Sequence, residues 1–496
     1  MSSLRMINKT PFFAGFHIQS LRRPARSLQQ KIADERQWLA TRTFQQIGEL
    51  CGKFIPSKLL NSNPKGNLSR NRIYSKVNVF WAFFSQILSP DGGCGEVVKK
   101  IQSYCSERGL KRPSSSTASY STARSKLSED ELSEILEQVA RNLDDVAGTR
   151  GFHDRRVVVV DGTGFSMPDT EENQMEWPQS ANQKSGCGFP SGRICACFCL
   201  DSGGLLSHRI GNKKSHELPL LRAQHSTFRK DDIFLGDKAF CSYYDIAKLL
   251  DLGVDSVVPL ARRKPITHAK CVKRIGDNDL VIRWKRPYFQ KGKSSFSHED
   301  WEQLPKELLL RQIKVSVAVP GFRVETFYII TTLLDDTTYT ASEIADLYYR
   351  RWDVELFFRD LKTTMGMDIL RCKTPSMVRK EILMYFIVYN CIRCLICKSA
   401  AGAGVPIRQI SFKGALQAIR NWEPLLNPSQ QSPRERKRMV AELYDVLGHT
   451  LIDERPDRSE PRCVKRRPKP FQHMTAPCNI MKENPHRGKR RKKALS

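Results

Sequence analysis

The stretch RRVVVVDGTG, residues 155 to 164, decides the fold of the central part of the chain. Its four consecutive valines predict a strand buried on both faces, because a strand with one solvated face alternates apolar and polar residues. Gly-Thr-Gly directly after Asp161 predicts that the strand ends at the aspartate and that the chain turns there. A carboxylate at the carboxyl end of a central strand lies where α/β sheets bind their ligands. The stretch therefore predicts a buried sheet with Asp161 at its functional edge.

Strand and helix patterns alternate after this stretch. Residues 193–211 predict a hairpin, and DIFLGDKAF, residues 232–240, predicts another buried strand, which ends at Asp237. SYYDIAKLLDLG, residues 242–253, predicts a helix closed by its terminal glycine. This mixture of strands and helices indicates an α/β fold. Because neighbouring strands end at one edge, Asp161 and Asp237 are expected to converge there.

The hydrophobic spacing and the charge of the sequence change along the chain and divide it into seven segments. Helical spacing predominates before residue 147, which favours a helical DNA-binding domain, although a plain helical bundle has the same pattern. Short alternating strands and basic loops predict a β-rich insertion within the α/β domain. The segments are a basic arm (1–45), a helical DNA-binding domain (46–146), the first part of the α/β domain (150–262), the insertion (263–320), the second part of the α/β domain (321–400), a helical region (401–454) and a basic tail (455–496).

The charge of the chain points to a polyanionic partner. Lys and Arg number 81 against 52 Asp and Glu, a formal net charge of +29. Such an imbalance favours nucleic acid over an anionic membrane surface. Residues 1–33 hold six bases and no acid, which a DNA-contacting arm explains with fewer assumptions than an organellar transit peptide. The tail from 455 to 496 holds 14 bases against 3 acids and is expected to contact phosphates.

Cysteine usage and hydropathy place the protein in the cytoplasm. The 15 cysteines are an odd number without a signal peptide, which favours a reducing compartment. The longest apolar run, residues 382–396, is interrupted by Asn390 and Arg393 and falls short of the ~20 residues that span a bilayer. We therefore predict a buried helix there and no membrane partner.

The stretch YYRRWDVELFFRDLK, residues 348–362, predicts one uninterrupted amphipathic helix. At about 100° per residue, an apolar stripe lies beside a narrow polar face. The stripe comprises Leu347, Val354, Phe358, Leu361 and Met365. The polar face comprises Tyr348, Arg351, Glu355 and Lys362.

Glu355 is the third candidate acid beside Asp161 and Asp237. Three carboxylates in one place repel each other unless a hard divalent cation lies between them. Mg²⁺ suits such oxygen ligands, with Mn²⁺ as a substitute, and two ions roughly 3.5–4 Å apart can promote phosphodiester displacement. Arg351 and its neighbours on the helix would then hold DNA phosphates. Taken singly, a strand-end Asp before Gly is more often a turn residue, and a Glu among Arg and Lys more often a salt-bridged surface.

The spacing of the helical residues resembles a known family signature. Tyr348, Arg351, Glu355 and Lys362 match the Y-R-E-K signature of bacterial insertion-sequence transposases of the family-four type, in the DDE class. Four further blocks look similar to the family. They are DGTGFSMPDTEEN at 161–173, GDKAF at 236–240, LKTTMGMDILRCKTPSMVRKE at 361–381 and KRRPKPF at 465–471. The resemblance extends over residues 75 to 400.

The resemblance implies an RNase H-like catalytic domain with its β-strand insertion between Asp237 and Glu355. It implies that the three acids bind two Mg²⁺, cut double-stranded DNA at the element ends and join the freed 3′ hydroxyl to target DNA, in a homodimer that bridges two ends. The expected location is the bacterial cytoplasm, associated with the nucleoid. Trp284 and Trp301 lie in the insertion, where similar enzymes stack a flipped base on an aromatic ring, although a small core explains them equally.

Two alternatives to a transposase stay open at this level. A structure-specific nuclease would use the same metal site without strand transfer, and a transposase-derived DNA-binding protein would be catalytically silent. The three intact acids argue against the silent protein. His216 and Glu217 follow Ser215, which is expected to cap a helix, so they are either an ordinary helix start or auxiliary residues of the site.

Overall fold

The computed structural model describes residues 45–61, 65–69, 73–107, 109–148, 151–213, 215–260, 265–266, 269–289, 296–317, 325–426, 431–453 and 473–483. The basic arm and most of the basic tail lie outside these residues. The chain forms two compact units. Of the described residues, the first unit comprises Gln45 and those within Leu60–Phe83 and Gly93–Leu127, and the second comprises those within Gln46–Leu59, Phe84–Gly92 and Ser128–Glu483.

Helices form most of the described chain before residue 148, as the sequence predicts. The helices are α1 Gln45–Cys51, α2 Ser57–Leu60, α3 Lys76–Leu88, α4 Cys94–Glu107, α5 Ala118–Ser125, α6 Glu129–Ala147, α7 Glu171–Glu176, α8 Glu217–Arg222, α9 Tyr243–Asp251, α10 His298–Glu302, α11 Ala341–Tyr349, α12 Asp353–Arg359, α13 Pro375–Ala403, α14 Phe412–Trp422, α15 Pro433–His449 and α16 Cys478–Glu483. In the first unit the buried Arg124 guanidinium lies over the rings of Phe83 and Tyr120, 4.8 and 5.6 Å from their centroids. DNA binding by these helices stays a prediction.

One mixed sheet organises the second unit, and nine strands form it in the described residues. The strands are β1 Val157–Ser166, β2 Ser191–Cys199, β3 Leu205–Asn212, β4 Ile233–Leu235, β5 Asp255–Pro259, β6 Lys270–Gly276, β7 Asp279–Lys285, β8 Glu307–Val317 and β9 Glu325–Thr331. Their spatial order is β3-β2-β1-β4-β5-β9-β8-β7-β6. The first three are antiparallel, whereas β4 and β5 continue parallel to β1. The predicted α/β class is confirmed.

The valine run forms the centre of this sheet, but the strand does not end where the sequence predicts. Val157 to Val160 are fully buried, which confirms a strand covered on both faces. β1 then continues through Gly162 to Ser166, paired with β2 throughout. The predicted turn after Asp161 is therefore wrong, because the glycines stay extended on a neighbouring strand. It is β4 that stops, at Leu235, and leaves the edge of β1 beside Asp161 free of that neighbour.

The strands predicted as an insertion extend the same sheet. β8 pairs with β9 over seven residue pairs, and β9 pairs with β5, so β6 to β8 continue the central sheet instead of forming a separate module. Arg311 on β8 is almost fully buried and forms a two-pronged ion pair with Asp279 on β7, at 2.8 and 2.5 Å. Paired hydrogen bonds fix the relative orientation of both side chains, so this contact pins the two strands together.

The helix α13 is the core helix of the second unit. It is long and apolar enough to cross a membrane by length and composition, and 94% of its most apolar window is buried inside the protein. The helix is thus longer than the run on which the sequence argument rested, and burial, not length, makes it a core element. Its cysteines Cys391, Cys394 and Cys397 are all buried, as expected for core packing. The helix α6 packs along it.

The predicted uninterrupted helix over residues 348–362 is wrong in detail. A 3₁₀ turn, Arg350–Trp352, separates α11 from α12, and a π-helical turn, Asp360–Thr364, follows α12. The apolar stripe that the spacing predicts is buried throughout. A 3₁₀ turn tightens a helix and a π turn widens it, so positions counted at 100° per residue shift on either side of each. Such π turns occur frequently at functional sites.

Candidate active site

The register of two parallel strands brings the two candidate aspartates together. Val159 on β1 lies opposite Leu235, the last residue of β4. Asp161 and Asp237 each follow two residues later, so they lie at the same height along the sheet. Asp161 Oδ1 accepts a hydrogen bond from its neighbouring Gly162 N–H at 2.7 Å, whereas Asp237 caps the 3₁₀ turn after β4. The convergence predicted for these two acids is what the register produces.

The charge around Asp161 is that of a crowded acidic site. Burial raises the pKa of Asp161 to about 6. The hydrogen bond from Gly162 and the positive charge of Arg351 oppose this rise, while the negative charges of Asp237 and Glu217 add to it. Like charges and burial both disfavour a carboxylate in its ionised form. The site therefore favours any cation that can neutralise these oxygens.

Tyr348 near the end of α11 and Arg351 in the following 3₁₀ turn lie beside the aspartates. The ring of Tyr348 contacts Phe327 of β9, and burial raises its pKa, with Asp237 adding to the rise and Arg351 opposing it. Arg351 is 6% exposed, and its guanidinium lies 4.3 Å from the ring centroid of the exposed Trp352. Its Nε has no hydrogen-bond partner within the described part of the chain. A buried donor without a partner is costly, so a phosphate oxygen is a natural acceptor for it.

Lys362 and Glu355 occupy different environments. Lys362 lies in the π turn, is half-buried, and donates from Nζ to Thr163 Oγ1 on β1 at 3.2 Å. The contact brings its ammonium group to the strand that bears Asp161. Glu355 is exposed on α12. Among the described residues, no group of three or more His, Cys, Asp or Glu side chains is arranged to hold a metal ion.

Glu217 is a residue for which the sequence left two roles open, an ordinary helix start or an auxiliary residue of the site. It is the first residue of α8, and its Oε1 lies 3.4 Å from Arg193 Nη1 on β2. Ser215 does not cap this helix as predicted. His216 holds the N-cap position without a side-chain bond, and the Ser215 hydroxyl bonds Asn212 Oδ1 at 3.2 Å.

The two tryptophans of the insertion lie in an aromatic cluster. Trp301 is 6% exposed and packs parallel to Phe296, with ring centroids 5.4 Å apart. Trp284 meets Tyr243 edge to face at 5.2 Å. Both tryptophans line a cavity of about 370 Å³, which His216 also borders. Both tryptophans thus pack in a small aromatic core, which is one of the two roles that the sequence predicts for them. Base stacking stays a prediction.

The donors around Asp161 suit a hard divalent cation. The negatively charged groups around Asp161 are the carboxylates of Asp237 and Glu217. Carboxylate oxygen is the metal ligand that Mg²⁺ and Mn²⁺ prefer. The buried carboxyl group and its like-charged neighbours would gain most from such an ion. The residues present therefore fit the metal chemistry in type.

Comparisons with known proteins agree with this geometry. Residues 152–391 match the family model described as a transposase DDE domain. Transposase InsG for insertion sequence element IS4, from Escherichia coli, is 24% identical over 329 residues, which are 65% of this chain and 70% of InsG. A transposase for insertion sequence element IS421, also from Escherichia coli, is 37% identical over 54 residues, 11% of this chain and 15% of that protein.

Among solved structures, piggyBac transposase in a synaptic complex with hairpin DNA is 11% identical, with a TM-score of 0.39 over 86% of this chain and 87% of that chain. A likeness at that score assigns neither fold nor function. The domain match and the relative that extends over most of both chains confirm the resemblance found in the sequence. Residues 152–391 therefore form a transposase DDE domain, and the chain is similar to insertion-sequence transposases of the family-four type.

Proposed function

We propose that this transposase cuts double-stranded DNA at the ends of an insertion sequence and joins the freed 3′ hydroxyl to target DNA, with Asp161, Asp237 and Glu355 as its catalytic acids. The observation that carries the proposal is the shared height of Asp161 on β1 and Asp237 just after β4, beside the buried Arg351. The proposal includes an RNase H-like domain with its insertion between Asp237 and Glu355. Its support is the position of β6 to β8 in chain order.

Asp161, Asp237 and Glu355 would hold Mg²⁺, or Mn²⁺ in its place. When bound, the metal supplies Lewis-acid stabilisation of the attacking and leaving oxygens of the phosphodiester. The aspartates are held in place by the sheet and by backbone N–H donors, so two of the three ligands are fixed before DNA binds. Glu355, exposed on α12, would approach them when the DNA end fills the site.

The remaining residues of the helix would position the DNA. Arg351 offers a buried guanidinium with an unpaired Nε, which can donate to a phosphate oxygen beside Asp161. Lys362 would place a point charge next to Thr163, on the same strand. Tyr348 would hydrogen-bond the phosphate near Asp237. Trp284 and Trp301 would stack an unpaired base if the cavity that they line admits one.

The proposal extends to partners and location. A chain of net charge +29 suits two DNA segments, the element end and the target, and we propose a homodimer that bridges two ends. The basic tail would add phosphate contacts. We place the protein in the bacterial cytoplasm, associated with the nucleoid.

A plasmid-joining reaction distinguishes transposase from nuclease. The full chain is incubated with Mg²⁺, a labelled element-end duplex and a supercoiled target plasmid. We expect labelled end DNA to become covalently attached to the plasmid, because a 3′ hydroxyl held beside the acids can attack a second phosphodiester. Cut ends without joined product would support the nuclease, and end binding without any cutting would support the silent DNA-binding protein.

Arg351→Ala and Lys362→Ala are expected to weaken engagement of the cleaved end and to leave residual chemistry. Each removes a cation that positions phosphate and leaves the carboxylates in place, so we expect a roughly 10- to 100-fold loss in the cleavage rate. Gel-shift affinity for end DNA and the cleavage rate under saturating protein measure the two effects separately. Arg359→Ala removes an exposed cation of the same helix and is the matched control.

If Arg351→Ala and Lys362→Ala match Arg359→Ala in both assays, the polar face of the helix is a salt-bridged surface and does not bind DNA.

A further inference from the structure

Glu217 lies against the strand that carries Asp161 in an arrangement that its sequence position does not require. It begins the six-residue helix α8, whose Leu221 packs into the same buried cluster as Val158 and Val160 of β1. An acid at a helix start usually points toward solvent and gains a few tenths of a kcal/mol to about 1 kcal/mol from the helix dipole. The side chain of Glu217 is instead only 21% exposed and lies against the sheet.

The contact between Glu217 and Gly162 is unusually close. A Cβ atom on Gly162 would lie 2.1 Å from Glu217 Oε1 and 2.6 Å from its Cδ, so only glycine leaves room for this carboxylate. Gly162 has no special backbone requirement, because it is an ordinary extended residue of β1. The glycine is therefore explained by the carboxylate and not by a turn.

Glu217 and Asp161 lie on opposite faces of β1. Successive residues of a strand direct their side chains to opposite faces, and Glu217 occupies the side toward which Gly162 would direct a Cβ. Arg193 is on that side too, since it pairs with Gly164 across the two strands. Gly162 directly follows Asp161 in β1, so the carboxylates of Glu217 and Asp161 are separated by little more than the thickness of the strand.

A carboxylate held so near to another has an energetic cost. Two like charges destabilise each other, and the ion pair with Arg193 is half-exposed at 3.4 Å and offsets this only in part. The cost disappears when a cation binds on the Asp161 side of the strand. The placement of Glu217 is then favourable because it adds negative potential where the cation binds.

We propose that Glu217 is a positioning residue of the catalytic centre, which raises the affinity of the aspartate pair for divalent metal and packs under Gly162 to fix the backbone that bears Asp161. The inference rests on the proposed function, since it concerns the same metal. Glu217 touches neither DNA nor metal in this role. It acts through the strand, and Arg193 keeps its carboxylate in place.

Glu217→Gln tests the charge with little change of shape. We expect the Mg²⁺ concentration for half-maximal cleavage to rise by roughly 3- to 10-fold, while the rate at saturating Mg²⁺ stays within about twofold of wild type. A readout without catalysis is the Mn²⁺ concentration that gives half of the maximal rise in melting temperature, which should shift by the same factor. Glu171→Gln, an exposed acid at the first position of the six-residue helix α7, should leave both values unchanged.

Gly162→Ala tests the contact independently. The added methyl group must displace the end of the flexible Glu217 side chain, so the charge stays in the protein but moves away. We expect a similar rise in the metal requirement. The double variant Gly162→Ala/Glu217→Gln should require no more metal than the single variant with the higher requirement. Full additivity would show that Gly162 acts independently of Glu217 and would overturn the proposed contact.

Two outcomes separate this inference from the proposed function. If Glu217→Gln has the metal requirement of wild type in both readouts while Asp161→Asn is inactive, only the role of Glu217 is rejected. If Asp161→Asn itself cuts DNA normally, the proposed function fails, and the inference about Glu217 fails with it.

Discussion

Asp161→Asn is expected to lower the rate of end cleavage by roughly a thousandfold or more while binding of end DNA persists. The substitution keeps the size of the side chain and can still accept the N–H of Gly162. It removes the negative charge of a candidate metal ligand that is largely buried, and each 1.36 kcal/mol of lost transition-state stabilisation costs about a factor of ten. We expect Asp237→Asn and Glu355→Gln to behave alike.

Cleavage rate under saturating protein and gel-shift affinity should be measured on the same preparations. Asp169→Asn is the matched control, because Asp169 is an exposed acid only three residues beyond the end of β1 and should cut like wild type. Glu355→Gln is the most informative member of the set. If it cuts normally while both Asp→Asn variants are inactive, Glu355 does not join the aspartates in the active complex, and another group completes the site.

Asp232→Ala is expected to destabilise the second unit by about 3–5 kcal/mol. Asp232 accepts two hydrogen bonds from Arg156, at 2.9 and 2.5 Å, and both side chains are about 4% exposed. Arg156 also lies 3.4 Å from Asp144 of α6, so the network ties that helix to the start of β1. Removal of Asp232 leaves a buried guanidinium with less compensation, and an uncompensated buried charge is costly.

Denaturant unfolding followed by far-ultraviolet circular dichroism measures this loss. Glu442→Ala breaks the exposed pair of Arg438 and Glu442 and should cost no more than about 0.5 kcal/mol. The double variant Arg156→Met/Asp232→Leu should recover part of the stability, because apolar side chains of similar volume replace both charges. A midpoint for Asp232→Ala that equals that of Glu442→Ala would mean that Arg156 finds another partner or water.

The sequence predicts the buried strand and the two aspartates because these depend on local patterns. The run Val157 to Val160 is typical of a strand covered on both sides, and the structure buries it fully. An acid that directly follows such a strand lies at the edge of the sheet. The end of β1 was predicted wrongly because Gly162 and its neighbours were interpreted as a turn. In the structure Gly162 gives room to a side chain from a distant helix, which no local pattern can indicate.

The helix was predicted only in outline for a related reason. Hydrophobic spacing identified the buried side of α12 correctly. The spacing argument assumes a constant 3.6 residues per turn. It therefore could not predict the 3₁₀ turn at Arg350–Trp352 or the π turn at Asp360–Thr364. The same assumption placed Tyr348, Arg351, Glu355 and Lys362 on a common face, whereas their exposures now differ widely.

The order of strands in the sheet sets the order in which the protein can be completed during synthesis. The strand β5 has β9 as its neighbour, but the ribosome makes the whole insertion before β9. Until then the edge of β5 stays unpaired, and the long loop must close before β9 can join it, which slows folding. Glu355 comes later still. A nascent chain can therefore hold Asp161 and Asp237 in place while it lacks the third candidate acid. Under the proposed function, its capacity to cut DNA would then arise only after the sheet is closed.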